Sequence, residues 1–411
     1  MAGRLRRLRR HRLLPVCGLS EVLAAQSSDR PDIVPEARRL SVAGIDPELR
    51  FAGGEVQVLG LTLELIRRGH RADLLCDPRG RLFERAQRAG VRCYPLAIRN
   101  ALDVRAGIEL RRMLGARRYD VVHFHTSRAH SLAPYAHGLA GARVVTRRMD
   151  YRPNRLFAPW LYHRSVEGIA AISEGAADAL AAAGVERSRI TIIPSGIDAE
   201  RFRPPSEAER LAARARWGLA GDEIAIGTVG ALEPRKGHRF MLAALAALLN
   251  DPAAPSGRKL CYLIAGDGTQ SEILRDEAVR LGLGERVRFI GQLEDPRELL
   301  WALDIFVLPS LREGLGVALL EAMGSGLAVV ANAIAGAVTA VAGGCGITVE
   351  PGNVAALSGA LAGLAESEAA RAGLAAAARA RILECYTLAA SAETTLKFYF
   401  NSLQGAGRRG E

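Results

Sequence analysis

The sequence contains few aromatic residues and almost no lysine. Aromatic residues make up 5% of the 411 residues, and lysine occurs only as Lys236, Lys259 and Lys397. Proteins that bind nucleic acid along a groove stack the bases on aromatic side chains that alternate with basic ones. The composition therefore argues against nucleic acid as a partner. The sequence also has no run of the roughly 20 apolar residues that a helix needs to cross a bilayer.

The six cysteines are scattered along the chain and form no metal-binding or redox pattern. They are Cys17, Cys76, Cys93, Cys261, Cys345 and Cys385. No CxxC pair and no metal-finger spacing is present, and disulfide bonds are typical of oxidising compartments. We therefore predict free thiols and a cytoplasmic location.

Much of the net charge of +11 comes from the two ends of the chain. Six arginines occur among the first twelve residues, and two more lie in the closing segment GRRGE. Residues 1–37 show little apolar periodicity, so we expect a disordered basic appendage. Several functions stay open for it: a nucleic-acid arm, a targeting signal, or a peripheral contact with anionic lipid at the inner face of the cytoplasmic membrane.

The rest of the chain alternates short apolar strands with longer helical segments. The first set of predicted strands covers residues 39–45, 72–76, 91–96, 120–125, 142–146, 168–173 and 190–194. The second set covers residues 224–230, 259–266, 287–291, 304–309, 328–333 and 346–350. Buried strands that alternate with helices are typical of parallel, doubly wound α/β sheets. We predict two Rossmann-like domains, at 38–198 and 199–385, and a helix in 386–411 that crosses back to the first domain.

Two loops with glycine follow predicted strands, at the edge of the sheet where ligands usually bind. Gly53 and Gly54 precede an amphipathic helix, where backbone N–H groups can approach a phosphate or a sugar, but a tight turn that requires glycine explains them equally well. Lys236 lies in the loop EPRKG, where a compact cation suits a diphosphate, and a solvent-exposed turn lysine is the alternative. Neither GxGxxG nor a Walker pattern is present, which argues against a dinucleotide enzyme or a P-loop ATPase.

The segment LPSLREGLGVALLEAMGSG, residues 308–326, carries Glu313 and Glu321 among apolar residues and glycines. We predict a buried strand, a loop that contains Glu313, and a helix with Glu321 about two turns in, so that both carboxylates face one cleft. A carboxylate can accept hydrogen bonds from two sugar hydroxyls, and the amides of residues 314–316 can bind phosphate oxygens. Alternatively, Glu313 caps the helix and Glu321 lies on its surface.

Glu313 and Glu321 have seven residues between them, and they follow VLPS in a segment whose helix ends at glycine. This arrangement resembles the EX7E motif of retaining glycosyltransferases of the GT-B fold, family 4. Further segments occur in the family's order, among them AGGEVQVLGLTLELIRRGH, DVVHFHTSRAH, VGALEPRKG and LIAGDGTQ. The resemblance covers most of residues 39–403. It implies two Rossmann-like domains that face each other across a cleft, with a nucleotide-sugar donor bound mainly to the second domain and the acceptor bound to the first.

The resemblance also implies roles for individual residues. Glu313 is expected to hold hydroxyls of the donor sugar, Glu321 the ribose, and Lys236 the departing diphosphate, while His125 is expected to contact the donor sugar near the reacting carbon. The other expected donor-binding residues are Arg235, Gly314, Leu315, Gly316, Gly53, Gly54 and Gly266. Neither a cofactor nor a metal ion is implied, because cationic side chains and helix dipoles stabilise the leaving group in such enzymes. His123 and His125 lie on one face of a strand, so the residues themselves leave a metal pair open.

Three positions depart from the family pattern. Ala231 stands where the family usually has arginine, Thr339 where it has glutamate, and Ala328 where it has proline. Two alternatives follow from Ala231: Arg235 replaces the missing charge, or the diphosphate relies on Lys236 alone.

The resemblance as a whole implies a retaining, metal-independent glycosyltransferase of the hexosyltransferase type, with a lipid-linked or cell-surface glycan as acceptor. A sugar-nucleotide epimerase of the same architecture and a non-catalytic basic binding protein are the alternatives. The sequence does not define the donor sugar, the nucleotide base, the acceptor hydroxyl, the linkage or the oligomeric state.

Overall fold

The computed structural model describes residues 38–148, 158–251 and 260–407. The predicted appendage at residues 1–37, with Cys17, and also Lys259 lie outside the described residues. The described part of the chain forms two α/β lobes, and each lobe is built on one parallel sheet.

The first lobe contains a seven-stranded sheet. Its strands are β1 Ser41–Asp46, β2 Arg71–Cys76, β3 Arg92–Pro95, β4 Tyr119–Phe124, β5 Ala140–Arg147, β6 Gly168–Ala171 and β7 Ile190–Ile192. The order across the sheet is β3, β2, β1, β4, β5, β6, β7, and every neighbouring pair is parallel. The strand order reverses between β1 and β4, and the loops that follow these two strands therefore border the crevice where such sheets bind ligands.

The second lobe contains a six-stranded sheet. Its strands are β8 Ile224–Val229, β9 Leu260–Ala265, β10 Val287–Gly291, β11 Ile305–Leu308, β12 Ala328–Asn332 and β13 Ile347–Val349. The order is β10, β9, β8, β11, β12, β13, again with parallel neighbours. The reversal between β8 and β11 brings together the loop with Lys236 and the loop with Glu313.

Helices connect the strands and cover both faces of each sheet. In the first lobe they are α1 Gly53–Arg67, α2 Arg81–Arg88, α3 Val104–Arg117, α4 Ser127–His130, α5 Ala158–Arg164 and α6 Glu174–Ala181. In the second lobe they are α7 Glu207–Arg216, α8 His238–Leu249, α9 Ser271–Arg280, α10 Arg297–Ala302, α11 Val317–Gly324, α12 Ala335–Ala340, α13 Val354–Glu366 and α14 Glu368–Cys385. The final helix is α15 Leu388–Gly407.

All thirteen strands predicted from the sequence are confirmed, and their ends differ from the prediction by at most two residues. Most of these strands are buried on both faces, which requires nearly continuous apolar runs. β11, for example, is IFVL and is buried along its whole length. The prediction of two doubly wound parallel sheets is therefore confirmed.

Helix α15 packs against the first lobe, although it follows the last strand of the second. Phe398 and Tyr399 belong to the same buried cluster as Val144 of β5 and Ala170 of β6. Where the chain passes between the lobes, residues 197 and 387 form an isolated β-bridge. The domain boundaries at 198/199 and 385/386 stay predictions.

Two observations concern the environment of the protein. Five cysteines within the described ranges are free thiols: Cys76, Cys93, Cys261, Cys345 and Cys385. No helix in the described part of the chain is long and apolar enough to cross a membrane. The cytoplasmic location stays a prediction.

Candidate active site

Backbone contacts join the loops that follow β8 and β11. The Leu311 N–H donates a hydrogen bond to the Arg235 carbonyl oxygen over 2.8 Å. Gly237 has a φ of +67°, and a Cβ atom there would overlap the carbonyl oxygen of Pro309. Glycine therefore allows the two loops to approach closely at this point. The approach places Lys236 directly beside Glu313.

Lys236 and Glu313 form an ion pair through Nζ and Oε2. Both side chains are largely buried, with exposed fractions of 14% and 18%. Arg235 lies next to the pair: its Nη1 is 3.9 Å from the same Glu313 oxygen, while its Nε donates to Glu233 over 2.8 Å. Glu313 does not cap α11, because the N-cap position belongs to Gly316, so the capping interpretation is wrong. The cluster combines the carboxylates of Glu313 and Glu233 with two cations at the mouth of the sheet.

Asn332, which the sequence analysis did not single out, supports this loop. It ends β12, is buried, and donates hydrogen bonds from Nδ2 to the carbonyl oxygens of Pro309 (2.7 Å) and Ser310 (3.1 Å). A polar residue at the carboxyl end of an otherwise apolar strand was the available signal. Asn332 thus fixes the backbone directly before Glu313.

The loop after β9 also approaches the Lys236 loop through a glycine. Gly266 has a φ of +146°, and a Cβ atom there would overlap the carbonyl oxygen of Gly230. Its N–H donates to the Gly291 carbonyl oxygen over 2.7 Å. Gly266 therefore allows three strand-end loops to pack together below the candidate site.

Gly314, in the Glu313 loop, contacts the first lobe. A Cβ atom at Gly314 would overlap the carbonyl oxygen of Arg148 and lie 2.9 Å from Ile172 Cδ1. Across the same junction, a Cβ atom at Gly53 would lie 3.4 Å from Val317 Cγ2. Small residues on both sides therefore let the two lobes meet at the start of α11.

The start of α11 presents backbone donors toward this junction. Its N-cap residue is Gly316, with a φ of +83°, and glycine offers no side chain to accept from the first N–H groups of the helix. Leu315 before it is buried. A helix N-terminus of this kind favours an anion through its N–H groups and its dipole.

Glu321 is the fifth residue of α11, one turn into the helix rather than the predicted two. It stays partly exposed, yet desolvation raises its pKa to about 8, with the charge of Arg201 lowering it and that of Asp295 raising it. Arg201 and Asp295 themselves form an ion pair of 3.2 Å. Below a pH of about 8 this carboxyl group is mostly neutral, and above it the carboxylate can accept hydrogen bonds from a ligand.

We expect nucleotide affinity to increase with pH through Glu321. The ionised carboxylate accepts two ribose hydroxyls better than the neutral acid does. The pKa of Glu321 is about 8 in the protein without nucleotide. Raising the pH from 6.5 to 8.5 is therefore expected to tighten nucleoside diphosphate binding roughly tenfold. Calorimetric titration at both pH values checks this.

The control for this prediction is Glu321→Gln, which cannot ionise. It is expected to bind nucleotide more weakly and to lack the extra pH dependence of the wild type, while ionisation of the nucleotide itself affects both proteins equally. The same pH slope in both proteins would contradict a ribose contact at Glu321.

His125 follows β4 at the carboxyl edge of the first sheet, and its N–H donates to the Ile45 carbonyl oxygen over 3.0 Å. Burial lowers its pKa far below the usual value, and the nearby His123 and Arg148 add to this effect. The rings of His123 and His125 lie 3.9 Å apart. His125 is therefore a neutral imidazole at physiological pH.

His123 holds the ring of His125 in place. Its Nδ1 lies 2.7 Å from the Tyr399 hydroxyl, and its Nε2 lies 2.6 Å from Thr146 Oγ1. Both ring nitrogens are thus engaged, which leaves neither for a metal ion. Within the described ranges, no group of three or more His, Cys, Asp or Glu residues is arranged to hold a metal.

We expect Tyr399→Phe to lower kcat about three- to tenfold, with the KM for the donor nearly unchanged, because loss of one hydrogen bond loosens the His123 ring that packs on His125. Steady-state kinetics check this. Ser402→Ala, a change of another buried hydroxyl on α15, is the matched control and should keep the wild-type kcat. Equal effects of the two variants would mean that the Tyr399 effect is only structural.

A buried acidic cluster beside the Gly53 turn was also missed by the sequence analysis. Asp46, at the end of β1, accepts from the Glu48 N–H over 3.0 Å, and its second oxygen lies 3.9 Å from Arg148 Nη1. Burial raises the pKa of Asp46 to about 7, although Arg148 opposes the shift. Glu55 accepts from the Ala52 N–H and has a pKa that burial also raises. A carboxylate at the end of a buried strand was the signal in the sequence.

One of the three departures from the family pattern has a residue of the missing charge nearby. Arg235 places a guanidinium beside Glu313, although residue 231 is alanine. The carbonyl oxygen of Ala231 lies 3.3 Å from His238 Nε2, and burial lowers the pKa of His238 to about 4. The Thr339 hydroxyl donates a hydrogen bond to the Ala335 carbonyl oxygen within α12. Arg235 therefore offers the positive charge that alanine at residue 231 lacks.

Two parallel doubly wound lobes, with cationic and glycine-rich loops meeting at their strand ends, define the GT-B class of fold. Residues 51–201 match the model of glycosyltransferase family 4, and residues 209–381 match that of glycosyl transferases group 1. The chain belongs to the group 1 glycosyltransferases of this family-4 type.

Curated relatives match parts of the chain. A D-inositol 3-phosphate glycosyltransferase of Streptomyces avermitilis is 31% identical over 59% of this chain and 53% of its own length. The UDP-Gal:alpha-D-GlcNAc-diphosphoundecaprenol alpha-1,3-galactosyltransferase of Escherichia coli is 27% identical over 57% of this chain and 63% of its own length. The chain thus spans somewhat more than half the length of these two relatives.

A solved structure matches over most of the chain. HepE of Anabaena, crystallised with UDP-glucose, superposes with a TM-score of 0.77 at 20% identity and covers 89% of this chain and 100% of its own. Similarity at this level of identity shows the fold alone.

Proposed function

We propose that this protein is a retaining glycosyltransferase, of the hexosyltransferase type, that transfers a sugar from a nucleotide-sugar to a hydroxyl of a lipid-linked or cell-surface glycan. The observation that carries the proposal is the ion pair of Lys236 and Glu313 at the strand reversal of the second lobe, opposite the glycine turn of the first. Membership of the glycosyltransferase family supports it.

In this proposal the second lobe binds the donor. Lys236 contacts the diphosphate, and the Glu313 carboxylate, which it holds in place, accepts hydrogen bonds from hydroxyls of the sugar. Arg235 supplies a second cation nearby, and the N–H groups at the start of α11, after Gly314, Leu315 and Gly316, bind phosphate oxygens. Glu321, one helical turn further on, accepts from the ribose. Gly266 contributes by letting the loops pack below the diphosphate.

The first lobe completes the site from the opposite side. Gly53 and Gly54 line the cleft at the junction, where an added Cβ atom would meet Val317 and Arg148, and the neutral imidazole of His125 contacts the sugar near the reacting carbon. A neutral imidazole can donate a hydrogen bond without repelling the positive charge that develops on the sugar ring.

The glycosyl–phosphate bond breaks through an oxocarbenium-like state, and the acceptor hydroxyl enters on the face that the phosphate leaves. The acceptor proton passes to the departing phosphate, so no protein nucleophile is needed. Lys236 and the dipole of α11 stabilise the negative charge of the leaving group, which is the function that a divalent ion serves elsewhere. We therefore propose catalysis that is independent of metal.

The acceptor class is proposed from the relatives. The matched protein of E. coli acts, by its name, on a sugar attached to diphosphoundecaprenol, and that of S. avermitilis acts on an inositol phosphate. Both acceptors carry phosphate, and the first is attached to a lipid. Acceptors of the first kind are the ones to test first.

Calorimetric titration with UDP, GDP and ADP, in the presence of a chelator, tests the donor site. We expect one nucleotide to bind clearly more tightly than the others and to lose at least about tenfold in affinity in Glu321→Ala. Turnover of the matching nucleotide-sugar should then depend on an added acceptor. Conversion of the donor without any acceptor into an epimer would favour the epimerase, and no binding of any nucleotide would contradict the proposal.

A further inference from the structure

Arg148 follows β5 at the carboxyl edge of the first sheet, where the two lobes meet. A Cβ atom at Gly314 would overlap its carbonyl oxygen, and a Cβ atom at Gly54 would overlap its Nη1. The residue therefore extends from the Glu313 loop of the second lobe to the glycine turn at the start of α1. Its side chain is only 18% exposed, so the guanidinium lies largely enclosed in the wall of the cleft.

The guanidinium of Arg148 donates no hydrogen bond to any group in the described ranges of the chain. Within those ranges it pairs only with Asp46, and the 3.9 Å between Nη1 and Oδ2 is too long for a hydrogen bond. The same Asp46 oxygen is buried and has no hydrogen-bond partner. A guanidinium carries five N–H donors in a planar fork, and enclosed donors without an acceptor are costly. Arg148 is therefore available to donate to a ligand in the cleft.

Arg128, at the same edge of the sheet, shows the contrast. Its Nη1 donates to the Ile98 carbonyl oxygen over 3.3 Å, and its Nη2 donates to Glu48 over 2.6 Å. These hydrogen bonds hold the Arg128 guanidinium within the first lobe. Arg148 has the same chemistry and lies closer to the junction, but its donors are not used in this way.

The charge of Arg148 lies near the place that the proposed function gives to the donor sugar. Burial lowers the pKa of His125 most, and the charges of His123 and Arg148 add to this effect, so the guanidinium is close to the ring that contacts the sugar. A cation there opposes the positive charge that develops on the sugar in the transition state. Asp46 compensates only in part, because burial raises its pKa to about 7 and about half of it is neutral at pH 7. A negative group on the sugar itself would supply the rest.

We propose that Arg148 binds a carboxylate of the donor sugar, and that the preferred donor is a nucleotide-activated uronic acid. The planar fork of a guanidinium matches a carboxylate through two parallel hydrogen bonds. The inference rests on the proposed function, since it names the class of sugar that the same site transfers. The donor diphosphate and a phosphate of the acceptor are the other anions that could reach Arg148, and the experiment separates them.

Calorimetric titration with two donors that differ only at C6 tests this inference. The probes are UDP-glucuronic acid and UDP-glucose, or GDP-mannuronic acid and GDP-mannose if GDP is the preferred nucleotide. We expect the uronic acid to bind at least about tenfold more tightly than the neutral sugar, and Arg148→Gln to bring this ratio to about one. Arg148→Lys keeps the charge without the planar fork and should retain part of the preference.

Two controls accompany these titrations. The plain nucleoside diphosphate lacks the sugar, so Arg148→Gln should bind it with about the wild-type affinity, which also shows that the variant is folded. Arg128→Gln removes the other guanidinium from the same edge of the sheet and should keep the wild-type ratio, because Arg128 is engaged with Glu48. Equal loss of the preference in both variants would assign it to the overall positive charge and overturn the inference.

Further outcomes would also overturn the inference. These are equal binding of both donors by the wild type, or an undiminished preference in Arg148→Gln. Weaker binding of the plain diphosphate by Arg148→Gln would assign the guanidinium to the diphosphate. An unchanged donor ratio with a raised KM for a phosphorylated acceptor would assign it to the acceptor.

Nucleotide binding keeps the failure of this inference apart from the failure of the proposed function. If a nucleotide binds and Glu321→Ala weakens it, but the uronic acid is not preferred, the proposed function stands and the role of Arg148 is wrong. If no nucleotide binds, both are wrong.

Discussion

Replacing Lys236 with alanine is expected to lower kcat about 100- to 1000-fold, because charge develops on the departing diphosphate and a buried cation beside it stabilises the transition state more than the ground state. The same change leaves Glu313 without its partner in a largely buried site. Steady-state kinetics with the preferred donor check the prediction. Glu313→Gln, which removes the carboxylate but keeps its shape, should also lose activity.

Lys397→Ala is the matched control for Lys236. Lys397 is the other lysine within the described ranges, lies half exposed on α15, and pairs with Glu393 over 3.5 Å. Its replacement should leave kcat within about twofold of the wild type, as for an exposed ion pair. If Lys236→Ala kept most of the wild-type kcat, the proposed leaving-group stabilisation would be wrong.

Gly266→Ala is expected to lower the free energy of unfolding by about 3 kcal/mol or more. Residues with a Cβ atom rarely adopt the φ of +146° found here, and the Cβ atom of alanine would overlap the carbonyl oxygen of Gly230. The loops after β8 and β9 must therefore separate in this variant. Because these loops support Lys236, nucleotide binding should weaken as well. Chemical denaturation and calorimetry measure the two effects.

Gly373→Ala is the control of opposite sign. Gly373 lies exposed in the middle of α14, and nothing lies within 4 Å of an added Cβ atom. Alanine should raise the free energy of unfolding by about 0.5–1 kcal/mol, since it favours the helix. Similar destabilisation of both variants would contradict the close contact inferred at Gly266.

The strands were predictable because of their chemistry. A parallel strand buried on both faces needs an uninterrupted apolar run, and runs such as IFVL in β11 cannot be placed on a surface. The order of the strands was less accessible, since parallel neighbours are not adjacent in sequence. The alternation of strands and helices limited the order to doubly wound sheets.

The candidate site was predictable only where local spacing defines it. Glu313 and Glu321 stand out because carboxylates interrupt an apolar segment, and Lys236 because lysine is rare in this chain. The pKa of Glu321 is shifted in part by the charges of Arg201 and Asp295, which lie far from it in sequence. Tyr399 also lies far in sequence from its partner: its hydroxyl contacts the His123 ring, although 276 positions separate the two residues. Such contacts arise from the packing of the lobes and leave no local pattern.

The most direct test of the proposed function is the anomeric configuration of the sugar in the product that forms from the preferred nucleotide-sugar and an added acceptor. Proton NMR, in the presence of a chelator, should detect a first-formed product with the configuration of the donor, and Lys236→Ala should form it at least about 100-fold more slowly. A first-formed product of inverted configuration, or no turnover of any nucleotide-sugar without metal, would contradict the account.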